Sequence, residues 1–115
     1  MSADCLFCKI VDGEVPSDIV HNDELVVAFR DIAPKAPTHI LLISREHIAS
    51  AADLTDDHAA LLARLFVVAG RLAQSEGIAD RGYRLVTNVG GEAGQSVHHL
   101  HVHLLGGRSM SWPPG

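Results

Sequence analysis

The sequence predicts an α+β fold: an antiparallel five-stranded sheet with a short N-terminal helix and one long helix. Three observations carry this. Apolar alternation or short apolar runs recur at residues 19–21, 25–30, 39–44, 83–89 and 97–105. Between the third and fourth runs, Leu61, Leu65, Val68 and Leu72 keep the spacing of an amphipathic helix. The resulting order, β-β-β-α-β-β, indicates antiparallel pairing with the helices on one side of the sheet.

Each element has its own signals. Residues 6–11 read as a short helix with Asp4 as N-cap and Gly13 near its stop. The strands at 19–21 and 25–30 form a hairpin turning at Asn22-Asp23. Pro34 and Pro37 make residues 33–37 a loop, because proline lacks a backbone donor and biases its predecessor to extended geometry. Residues 39–44 are almost continuously apolar, as suits a strand buried on both faces. Thr55 N-caps the long helix, Asp56 and Asp57 complement its dipole, and Gly77 stops it. Gly90, Gly91 and Gly94 form a loop between the last two strands, Gly106-Gly107 ends the final one, and Trp112-Pro113-Pro114-Gly115 is irregular.

A length of 115 residues suits one domain, 1–115, with a single core. Three Phe, one Tyr and one Trp leave Leu, Val, Ile and Ala to fill most of it. So small a domain buries a modest share of its surface, and oligomerisation would bury more. The net charge of −5, with nine scattered Lys and Arg, argues against nucleic-acid binding, which needs a clustered basic footprint. A mononucleotide remains open. Two cysteines make no disulfide framework, residues 1–4 lack a secretory pattern, and no apolar run approaches a membrane span. The expectation is a soluble cytoplasmic protein with neither nucleic acid nor membrane as partner.

The chemistry concentrates in His98-His99-Leu100-His101-Val102-His103-Leu104-Leu105. On a strand, His99, His101 and His103 share one face, at ~6.6 Å intervals, while Leu100, Val102 and Leu104 face the core. That spacing can surround a phosphate. Neighbouring imidazoles discourage one another from protonating, and a neutral ring nitrogen is both a nucleophile and a proton carrier. A central nucleophile flanked by donors could transfer a phosphoryl-type group without a metal. Two alternatives compete: chance clustering among eight histidines, and a catalytic zinc, since His-x-His on a strand can ligate one.

This stretch resembles the histidine triad (HIT) family. The resemblance continues through Phe29-Arg30-Asp31-Ile32, Ala36-Pro37-Thr38-His39, Gly94-Gln95-Ser96-Val97, Gly106-Gly107-Arg108 and Trp112-Pro113-Pro114-Gly115. The last two segments favour the histidine-triad nucleotide-binding (Hint) branch. The resemblance implies a HIT-like fold and a homodimer acting at the α-phosphate of nucleotides. It points to a purine nucleoside 5′-phosphoramidase that releases AMP or GMP through a nucleotidyl-histidine intermediate, with no cofactor required for catalysis.

The same resemblance implies residue roles. His101 would be the nucleophile, aimed by the backbone carbonyl of His99. His103 and His39 would stabilise phosphate oxygens, with Ser96 by the leaving group and Asn88 by the phosphate. Asp31 would accept the ribose hydroxyls, and Phe7, Ile10, Phe29 and Ile32 would line the base pocket. Trp112 would approach the partner's pocket. His98 stands where the family commonly has Tyr, pointing off the triad face, while His21 and His58 match no motif and read as surface residues.

Cys5 and Cys8, at helical spacing, face one side and could bind metal, but two thiolates need two more ligands. The resemblance supplies them: some bacterial members use the positions of His47 and His99 for a structural Zn²⁺. A redox pair and two ordinary core cysteines remain the alternatives.

Overall fold

The computed structural model describes residues 4–115; residues 1–3, part of the segment read for a secretory leader, lie outside them. Five strands, β1 (Ile19–Asn22), β2 (Val26–Arg30), β3 (Thr38–Ser44), β4 (Tyr83–Val86) and β5 (His101–Gly106), form one antiparallel sheet in the order β1-β2-β3-β5-β4. Two helices, α1 (Leu6–Val11) and α2 (Ala59–Ser75), cover it.

The helices lie on opposite faces rather than on one. β3 explains why: all seven of its residues are buried, so both faces of the central sheet are apolar and each needs a cover. On one face Leu61, Leu65, Val68 and Leu72 of α2 pack with Val26, Ala28, Ile40, Leu42, Leu100 and Leu104. On the other, Phe7, Cys8 and Ile10 of α1 pack with Val27, Phe29, Leu41 and Ile43. The α1 face is the smaller cover, and the histidines occupy what it leaves open.

Side chains shift several boundaries. Cys5, not Asp4, caps α1: the Cys8 backbone N–H donates to Cys5 Sγ at 3.4 Å. In the hairpin, Asp23 Oδ1 accepts the N–H groups of Leu25 and Val26 at 2.8 and 2.9 Å, which keeps Leu25 outside the ladder. The long helix opens with a 3₁₀ turn, Asp56–His58, capped by Thr55. His58, read as a bystander, completes that capping box by accepting the Thr55 N–H at 2.9 Å.

The last two strands are shorter than expected, with β4 ending at Val86 and β5 starting at His101. The chain between them serves the loop. Gln95 Oε1 accepts the Gly90 N–H, and its Nε2 donates to the carbonyls of Ala49 and Val97. Even so, the Leu100 N–H reaches the Ile48 carbonyl at 2.6 Å and the Ser44 N–H reaches the Leu100 carbonyl at 3.3 Å. The side-chain alternation therefore begins before the regular ladder does. Beyond β5, Gly107 sits at φ +92°, and a Cβ there would come within 2.8 Å of Pro37, the loop residue that leads into β3.

Candidate active site

The antiparallel register builds the site. Leu41 pairs with His103, Ile43 with His101 and His39 with Leu105, so His39, His101 and His103 project from the α1 face. His39 is then a diagonal neighbour of His103, within reach of its ring. The His101 and His103 ring centroids are 5.1 Å apart, and those of His39 and His103 are 5.2 Å apart.

Backbone groups fix the tautomers. The His99 carbonyl, which can only accept, lies 2.6 Å from His101 Nδ1, so Nδ1 carries the proton and Nε2 of the neutral ring keeps its lone pair. The Lys35 N–H donates to His39 Nδ1 at 3.0 Å, which places the His39 proton on Nε2. That Nε2–H donates to His103 Nδ1 at 2.9 Å, leaving His103 with an Nε2–H of its own. The constellation thus presents a lone pair on His101 beside a donor on His103.

Electrostatics keep His103 and His39 neutral. Burial, reinforced by His101 and His39, holds His103 down at about 4. Burial and then the Lys35 charge lower His39 against the opposing pull of Asp31. Asp31 Oδ2 lies 3.4 Å from His39 Nε2, and its Oδ1 accepts the Ala33 N–H at 2.8 Å.

Beside the rings opens a cavity of about 280 Å³ lined by Phe7, Ile10, Phe29, Asp31, Ile32, Ser96, His101 and His103. Phe7 meets the His101 ring edge-on at 5.1 Å and Phe29 at 5.6 Å. Ile32 lies open to solvent at the rim. Asn88 lies apart from this cavity, lining a neighbouring one with His39 and His103. Leu6, Val15, Pro16, Ser17, Arg30, Leu41 and Val97 complete the main wall, and the sequence assigned none of them a role in it. Arg30 and Val97 stood within the motif segments, and Leu41 had a signal of its own, two residues after His39 on the same face of a strand. Nor could sequence flag the Lys35 N–H, because backbone donors carry no residue signature.

His99 continues the alternation but turns elsewhere. Its Nε2–H donates to the Ser44 carbonyl at 2.6 Å, so Nδ1 offers a lone pair, 3.2 Å from Cys5 Sγ and 3.6 Å from Cys8 Sγ. His47 Nδ1 lies 3.2 Å from Cys8 Sγ and 3.3 Å from His99 Nδ1. Burial lowers the His99 pKa, with His47 and His101 adding to the effect against the Ser44 hydrogen bond. The four residues paired by resemblance therefore converge. His98, ahead of the regular strand, is exposed, and His21 is half-buried against Asp23 at 2.6 Å.

The family model for the HIT domain matches residues 12–110. The chain belongs to the HIT family. It is 49% identical over 110 residues to the purine nucleoside phosphoramidase of Escherichia coli, covering 96% of this chain and 92% of that one. An uncharacterized HIT-like protein of Synechococcus elongatus is 51% identical over 115 residues, the whole of both chains. Among solved structures, a HIT family hydrolase from Legionella pneumophila superposes with a TM-score of 0.96 at 54% identity, over 97% of this chain and 100% of that one. One from Clostridium thermocellum gives 0.94 at 47%, over 96% of each chain. The five-stranded antiparallel sheet is the fold of these neighbours, and this member of the family is a hydrolase.

Proposed function

We propose that this HIT protein is a purine nucleoside 5′-phosphoramidase, 1–115 forming one domain, that releases AMP or GMP through a nucleotidyl-histidine intermediate. The observation that carries the reading is the 2.6 Å bond from His101 Nδ1–H to the His99 carbonyl, which leaves the other nitrogen of a cavity-lining ring free to attack. The 49% identity to the phosphoramidase of Escherichia coli supports the substrate class.

In the first step His101 Nε2 forms a bond to the α-phosphorus as the P–N bond breaks, and the leaving amine takes a proton from solvent water. The positive charge that develops on the ring is spread to Nδ1–H and met by the His99 carbonyl. Water then attacks phosphorus and gives up a proton to solvent, and the electron pair of the P–N(His101) bond returns to the ring. The His103 Nε2–H, in a ring that stays neutral near pH 7, donates to phosphate oxygens, with His39 fixing its tautomer. Ser96 attends the leaving group and Asn88 the phosphate. Asp31 accepts the ribose hydroxyls, and Phe7, Ile10, Phe29 and Ile32 hold the base.

The chemistry assigned to these residues calls for no cofactor, but Cys5, Cys8, His47 and His99 fit a structural Zn²⁺. A tetrahedral ion with Zn–S about 2.3 Å and Zn–N about 2.05 Å has N···N and S···N edges of about 3.3 and 3.6 Å. The corresponding distances here are 3.3 Å and 3.2–3.6 Å. The Ser44 carbonyl on His99 is the kind of outer partner that orients a ligating imidazole. A homodimer is supported by the outer edge of β4, unpaired among the described residues, beside exposed Tyr83 and Phe66. No helix among the described residues is long and apolar enough to cross a membrane.

A second reading has an observation in its favour: Asp31, His39 and His103 bring ligand atoms within 4.8 Å of one another, so a catalytic metal there is a rival. One experiment separates them. The protein is incubated with adenosine 5′-phosphoramidate, then quenched in base. The triad reading expects an AMP adduct on the peptide carrying His101, neither adduct nor turnover in His101→Ala, and nucleotide binding kept in that variant. Turnover that persists in His101→Ala refutes the nucleophile. Binding without turnover by the intact protein would mark a nucleotide-binding protein instead.

A further inference from the structure

His99 belongs to two constellations at once. Its ring is fully buried and held from both nitrogens, by the Ser44 carbonyl at Nε2 and by the thiol cluster at Nδ1. Its backbone carbonyl receives the His101 Nδ1–H. That carbonyl lies ahead of β5, and its peptide unit is held by the Leu100 N–H on the Ile48 carbonyl at 2.6 Å, next in sequence to His47. The cluster therefore grips both ends of this link, at His99 and beside Ile48.

The cluster also reaches α1. That helix has only six residues, far too few for stability on its own, and its hold on the sheet is packing plus the two cysteines. Cys5 and Cys8 bracket Leu6 and Phe7, which with Ile10 wall the base cavity. Phe7 packs edge-on to both His99 and His101, at 5.9 and 5.1 Å. In its thiol form the cluster is joined by weak sulfur hydrogen bonds and one imidazole–imidazole contact; a bound metal would replace them with coordination to thiolates.

From this we infer that the Cys5/Cys8/His47/His99 cluster is a positioning device for hydrolysis: a thiophilic divalent metal held there sets the His99 carbonyl that aims His101 and pins the helix that walls the base cavity. The inference rests on the phosphoramidase reading. The metal's part is to hold residues, so any tetrahedral thiophilic ion should serve.

The test compares zinc-loaded wild type, chelated wild type, Cys8→Ala, Cys8→Asp and a remote α2 core variant, Val68→Ala, with adenosine 5′-phosphoramidate as substrate. Metal content, kcat and KM are measured beside the ¹⁵N signature of the His101 Nδ1–H. The expected result is one zinc in wild type and none in Cys8→Ala. In Cys8→Ala, kcat falls by roughly 10–100-fold, the range typical of lost outer-shell support. KM rises and the His101 signal is lost. Chelation should do the same, Co²⁺ should restore kcat, and Cys8→Asp should recover metal and kcat in part. Val68→Ala, at comparable loss of Tm, should keep kcat. The inference is overturned if the loaded protein takes up no zinc, if metal-free protein keeps kcat and the His101 signal, or if Val68→Ala loses kcat equally. Absence of turnover in zinc-loaded wild type would instead sink the proposed function.

Discussion

One sheet face carries two imidazole clusters built from the same residue type. At the His99 end, two ring nitrogens and two sulfurs point inward at the edge lengths of a metal tetrahedron. At the His103 end, His39 donates a hydrogen bond to His103, His101 donates one to a carbonyl, and the rings face a cavity. The difference comes from backbone groups. The Ser44 carbonyl frees Nδ1 of His99 toward the thiols, the His99 carbonyl frees Nε2 of His101 toward the cavity, and the Lys35 amide orders the His39–His103 pair. Histidine offers two chemistries, and its second nitrogen's partner chooses between them.

The sharpest break in the comparison is His101→Ala. Loss of a nucleophile should cut kcat on the order of 10⁴-fold or more, with AMP still bound in calorimetry; a loss under tenfold would move His101 into a supporting role. Next comes a crossed pair. His39→Ala should lower kcat about 10–100-fold by freeing the His103 tautomer while zinc content stays constant. His47→Ala should lower zinc affinity by a similar factor. Were both variants to lose metal and rate alike, the clusters would be one unit.

The pH dependence of stability tests the His103 end. Its folded pKa of about 4 lies below the ordinary 6.5, so between those values the unfolded chain binds more protons than the folded one. Tm should therefore hold above about pH 7 and fall as pH drops from 6.5 toward 4. The lowered His39 adds in the same direction. His103→Gln should shallow that decline; an unchanged slope would place the lost protons elsewhere. The smallest effect is expected from Ile32→Ala at the exposed rim, where KM should rise only two- to threefold, an energy of about 0.5 kcal/mol, with Tm unmoved.

Much of this was legible in the residues, for reasons that differ by element. The period-two histidines announced a shared face because strand geometry leaves no other arrangement. Leu61, Leu65, Val68 and Leu72 likewise announced the buried stripe of α2. Strand ends were less legible: β4 stops at Val86 although the expected strand ran to Val89, because beyond it the Thr87 side-chain hydroxyl donates to the His101 carbonyl at 2.8 Å and Gln95 ties the following loop to Gly90 and Ala49. The N-cap of α1 was misplaced because Asp4 is the better capping residue by propensity, yet Cys5 is held where its sulfur meets both the Cys8 N–H and His99. His58 gave no sign of its cap, since imidazole seldom fills the last position of a capping box.

By itself, then, the sequence determined the α+β class, the strands, the side of β5 that carries imidazoles and the family resemblance, since all of these follow from short-range periodicity and residue chemistry. Tertiary structure alone decided that the helices would take opposite faces, that His39 would meet His103, and which nitrogen of each ring would be free. Those outcomes depend on sheet register and on backbone donors and acceptors brought together from distant parts of the chain, and no local pattern of side chains encodes them.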